Sequence, residues 1–83
     1  MTMQELLKEN RAFAYYAKQT YSEHPIGSLL LGLELYESCR VNSNSIAWNI
    51  MQAAGHKTFT SEAFLDAANQ VLKLTKELKN EEL

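Results

Sequence analysis

An all-α domain of four helices, with the second in the middle, is what this chain predicts. Three observations carry that reading. Only three Gly and one Pro occur in 83 residues, which leaves few turns and favours long helices over many short strands. Apolar residues recur at helical spacing in four stretches. Each stretch is bounded by capping or breaking residues. At this length the chain makes one domain, residues 1–83, near the small end of what folds without a metal or disulfides.

The first helix opens at Thr2-Met-Gln-Glu5, a capping-box pattern in which the Thr hydroxyl serves the Glu5 N–H and Glu5 reaches back. Met3, Leu6, Leu7, Phe13, Ala14, Ala17 and Tyr21 fall on one side of it. Asn10 shares that stripe and, if buried, needs a hydrogen-bond partner. Tyr15 and Tyr16 lie roughly 120–140° from the stripe's centre. They either cover the flanks of a small core or serve as contact residues, since Tyr is enriched at interfaces. His24-Pro25 ends this helix, with Pro25 suited to the first position of the next.

The second helix, about 25–41, is the most apolar stretch and carries two apolar faces. One holds Ile26, Leu29, Leu30, Leu33 and Tyr36; the other holds Leu31, Leu35 and Cys39. Gly32 and Ser28 sit beside the second, where small residues let a helix approach. A helix apolar nearly all round belongs inside something, either its own bundle or a second copy. A homodimer is expected, with Leu31, Leu35 and Cys39 at its centre. Leu35→Glu then gives a folded monomer, whereas an unfolded chain would place that face inside the protomer.

Asn42-Ser-Asn-Ser45 reads as a turn and cap, followed by a third helix over about 44–54 with Ile46, Ala47, Ile50, Met51 and Ala54 inward and Gly55 as its stop. From Val41 through His56 there is no Asp, Glu, Lys or Arg. Trp48, Asn49 and Gln52 lie off the apolar stripe. Either a further helix covers them, or they form a contact surface, because interface cores lose charge and gain aromatics. Thr60 is placed to cap the fourth helix, with Phe59 and Phe64 at the spacing of a hydrophobic staple. Phe64, Ala68, Val71, Thr75 and Leu78 form its inner face, widened by Leu65 and Leu72, and Asn80–Leu83 is expected to fray.

A formal charge of −2 gives no general attraction for nucleic acid or anionic membrane. The single Cys39 cannot form an internal disulfide, no apolar leader opens the chain, and the uncharged run from Pro25 to Leu33 is too short to cross a bilayer. A cytoplasmic domain with no membrane role is therefore expected. No converging catalytic set stands out, so neither an enzyme nor a cofactor or metal is expected. Cys39 could pair with His24 or His56 but lies on an apolar face, and Glu34 and Glu37 lack the matching Glu-x-x-His of a di-iron bundle.

Two functions remain. The first is non-catalytic binding of another protein as a regulator, adaptor or inhibitor, with self-association, using Trp48, Asn49 and Gln52 first and Tyr15 and Tyr16 second. The alternative is a helix-turn-helix DNA-binding regulator, with Ser45, Asn49 and Gln52 of the third helix pointing into a major groove, where Asn and Gln can pair bidentately with adenine. Only Arg40 and Lys57 flank that helix, which is little positive charge for holding a phosphate backbone.

Overall fold

The structure is a computed structural model that describes residues 1–42 and 45–77. The described residues form five helices and no strand: α1 (Met3–Glu9), α2 (Arg11–Tyr21), α3 (Gly27–Val41), α4 (Ile46–Ala53) and α5 (Ser61–Glu77). The all-α class stands, and the count rises by one because the expected first helix is two. Residues 43 and 44 of the expected turn, Leu78 of the expected inner face and Asn80–Leu83 lie outside the described residues.

Asn10 makes the break. Its backbone is at φ −119°, ψ 58°, its N–H donates to the carbonyls of Leu6 and Leu7, and its side-chain amide donates to Leu6 at 2.8 Å. Asn favours such local bonds over a continuing helix. The Asn10 carbonyl then accepts from Ala14 at 3.0 Å and starts α2. The partner that Asn10 needs is thus the end of its own helix. The change of direction lets α1 pack on α4 and α5 while α2 packs on α5 and α3.

The capping box at Thr2 and Glu5 is present, and the bonds from Thr2 hold the Glu5 carboxyl below its ordinary range. Pro25 does not open α3, which begins two residues later. Between them His24 N–H donates to Tyr21 O, Gly27 N–H to His24 O, and the His24 Nδ1 accepts from Ile26 N–H. His24 is a loop residue that holds the entry to α3 in place.

The core is formed by Leu7, Leu31, Leu35, Ile50, Met51 and Val71, all essentially without exposure, with Ala14, Ala17, Ala47, Ala67 and Ala68 between them. α3 and α5 form the most extensive helix pair. Gly32 explains the choice of face: a Cβ there would stand 3.4 Å from the Phe64 carbonyl oxygen of α5, so the small side of α3 receives the other helix closely. Leu31 and Leu35, expected at the centre of a dimer, are therefore enclosed within the protomer, and Cys39 is half-buried against the same core. The face left outside is the other one. Leu65, expected to widen the inner side of α5, is exposed beside it.

α4 ends at Gly55, whose φ of +93° is open to glycine without strain. The bonds Gly55 N–H to Gln52 O and His56 N–H to Met51 O close the helix in a Schellman arrangement. Thr60 caps α5 through its hydroxyl, which accepts from Ala63 N–H at 3.1 Å, and the Phe59 and Phe64 rings lie 5.9 Å apart as a staple. Thr60→Ala is expected to lower stability by about 1 kcal/mol, read as an earlier urea midpoint with an unchanged slope. An unshifted midpoint would show that the cap contributes nothing.

Candidate functional site

α3 and the residue before it expose four large apolar side chains in a row. Ile26, Leu29, Leu33 and Tyr36 are 50, 53, 62 and 45 % accessible. Their steps of three, four and three residues place them on one side of the helix, the spacing of a seam between helices. Leu65 of α5, 36 % accessible, stands alongside. Between the two helices runs an open groove of about 490 Å³ lined by Leu29, Gly32, Leu33, Tyr36, Phe64 and Leu65, together with Ser61. Isolated exposed Leu residues are ordinary; a row of large apolar side chains on one side of a helix is the feature of this surface that sets it apart.

The sequence-predicted surface residues are divided among other places. Trp48 is half-buried because its ring packs edge-on against Phe59 at 4.8 Å, so the residue before α5 covers part of it. Asn49 and Gln52 are exposed and line a second groove, of about 470 Å³, with Leu6, Glu9 and Asn10. The Ser45 hydroxyl is enclosed rather than presented outward, and Arg40 lies 2.9 Å from Glu37. Of the groove-reading set, Asn49 and Gln52 alone present their side chains.

Tyr15 is exposed on α2. Tyr16 belongs to a cluster that the spacing of the residues did not announce. Its hydroxyl donates to one Glu34 oxygen at 2.8 Å and the Tyr21 hydroxyl donates to the other at 3.0 Å, with the two hydroxyls 3.3 Å apart and the two rings perpendicular, edge to face. One carboxylate thereby ties both ends of the α2 tyrosine pair to α3. The bond with Tyr16, then partial burial, then Glu34 push the Tyr21 phenol well above its ordinary range. Glu34 and Glu37, weighed above as possible metal ligands, are thus directed to different neighbours: the tyrosines and Arg40. No group of three His, Cys, Asp or Glu that could hold a metal ion occurs among the described residues.

The remaining titratable groups also act locally. His56 Nε2 lies 2.7 Å from Asp66 Oδ2, and Gln70 donates to the same oxygen at 2.9 Å. These bonds, His56 first, hold the Asp66 carboxyl below its usual range and join the end of α4 to α5. Burial pushes the Cys39 thiol up, away from the thiolate that a nucleophile requires. No described helix is long and apolar enough to cross a membrane. Compared with family models, curated proteins and solved structures, the chain matches none.

Proposed function

We propose that this protein works without catalysis, as a small regulator, adaptor or inhibitor that binds another protein chain through the outer face of α3 and the adjoining side of α5. The observation that carries this reading is the row Ile26, Leu29, Leu33 and Tyr36, four large apolar side chains turned outward on one side of one helix. Its seam-like spacing suits a helix as the covering element. The tyrosine–glutamate cluster and the His56–Asp66 contact support the frame that presents the strip, since each joins two helices by side chains already engaged with one another.

Carbene footprinting tests this. The chain is labelled in buffer over a range of concentrations and in an extract of its source cells. Protection concentrated at Leu29, Leu33, Tyr36 and Leu65 in either setting is the expected result. Labelling of these residues that never changes would overturn the reading. Protection centred on Asn49 and Gln52 would overturn it too, in favour of the α4 surface.

A further inference from the structure

We propose that α1 exchanges between two copies of this chain, with Asn10 as the hinge. In the exchanged form α1 and α2 join into one helix over residues 3–21, and the first two turns of each joined helix seat on α4 and α5 of the second copy. This goes beyond the α3 contact surface and does not depend on it. The apolar pattern carries it. Met3, Leu6 and Leu7 stay in helical step with Ala14, Ala17 and Tyr21 across residue 10, so the sequence is patterned for one helix where the fold has two. Asn10 is the single residue between them. The bonds from Asn10 N–H to Leu6 O and from Ala14 N–H to Asn10 O already span four residues, at 3.0 Å each. Turning the Asn10 backbone from φ −119°, ψ 58° to helical values brings the N–H groups of Arg11, Ala12 and Phe13 to the carbonyls of Leu7, Lys8 and Glu9.

The seat of α1 names the occupant. Met3, Leu6 and Leu7 are buried, and α1 rests on α4 and α5. A copy whose α1 leaves exposes these side chains and the core beneath them, so the seat has to be filled again. Another α1 fits it without any change of shape. The capping box of Thr2 and Glu5 lies within α1 and travels with it. A two-fold exchange therefore remakes every contact of α1 between chains, and the two forms differ chiefly at the hinge. There the joined helix gains the bonds to Leu7, Lys8 and Glu9. It competes with one side-chain bond, from the Asn10 amide to Leu6 O, because Asn10 makes no side-chain cap for α2.

Sedimentation of the full chain should show monomer giving way to dimer as concentration rises. Asn10→Ala sets the best helix former at both hinges of the dimer and should tighten association about tenfold, with Asn10→Gly about thirtyfold weaker than Asn10→Ala. Leu33→Glu should leave this dimer intact, since the α3 strip takes no part in it. Isotope-labelled chains are then unfolded and refolded together with unlabelled ones. Filtered nuclear Overhauser contacts should run from α1 of one chain to α4 of the other. Circular dichroism should show every variant helical. A parent that stays monomeric at every concentration would overturn the exchange, and so would a dimer that Leu33→Glu abolishes or whose cross-chain contacts omit α1 and α4. Equal association of the Asn10→Ala and Asn10→Gly chains would overturn Asn10 as the hinge.

Discussion

Gly27→Ala is expected to destabilise the protein by about 2–4 kcal/mol. A Cβ at this position would run into the carbonyl oxygen of Tyr21, with the Tyr21 carbonyl carbon at 2.9 Å and its Cα at 3.3 Å. All three atoms belong to the backbone, so no rotamer change relieves the clash. The α2–α3 connection would have to open. That would strain the bonds from His24 N–H to Tyr21 O and from Gly27 N–H to His24 O, and would pull the Tyr21 hydroxyl from Glu34. A chain of this length has a total stability of roughly 4–12 kcal/mol, so the loss is a large fraction of the whole. Thermal unfolding should fall by about 10 °C or more. A midpoint unchanged from the parent would show that the connection is looser than the close approach implies.

The second large effect separates two leucines on the same helix. Leu35 is 1 % accessible and Leu33 is 62 % accessible. Leu35→Glu places a carboxylate among the apolar side chains of the core, where an unpaired charge is penalised by several kcal/mol. The expected result is a chain without helical circular dichroism at 25 °C. Leu33→Glu puts the same group in water and should move stability by no more than about 0.5 kcal/mol, while removing association through the strip. A folded monomer from Leu35→Glu would mean that α3 is turned the other way round.

That contrast marks what the residue pattern could and could not supply. The two apolar faces of α3 are legible in the sequence, and so is the reason for them, since one helix cannot turn both toward a single core. Which face goes inward is decided by an interhelical event: the approach of the Phe64–Leu65 backbone to Gly32. The small residues beside Leu31 and Leu35 pointed to close helix packing on that side, yet gave no measure of whether the neighbour was α5 or a second copy. Helix ends were legible wherever the cap is local, as at Thr2, Gly55 and Thr60. The break at Asn10 was not, because the stripe of apolar residues continues across it and only the doubled bonding to Leu6 reveals the interruption. The outward face of α3 is legible in part: spacing groups Ile26, Leu29, Leu30, Leu33 and Tyr36 on one side, of which Leu30 is half-buried and the other four are exposed, whereas self-association was expected on the opposite face and partner binding first at Trp48, Asn49 and Gln52. Trp48 looked outward on its own helix, and its cover came from Phe59, a residue outside any helix.

The same aromatic contacts give the molecule an optical property. Tyr36 stands edge-on to Phe64 at 5.6 Å, Phe64 to Phe59 at 5.9 Å, and Phe59 to Trp48 at 4.8 Å. This row of four rings leads from the exposed strip to the chain's one tryptophan. Light absorbed by Tyr36 can pass to Trp48 while the rings keep these separations, and the transfer declines when they part. The emission colour of Trp48 reports the water around the start of α4, whereas the tyrosine-excited share of that emission sums over the chain's four tyrosines, of which Tyr36 alone stands on the strip. One chain without any added dye thus carries two readouts of its fold, the first of the water at Trp48 and the second of the distances between its aromatic rings.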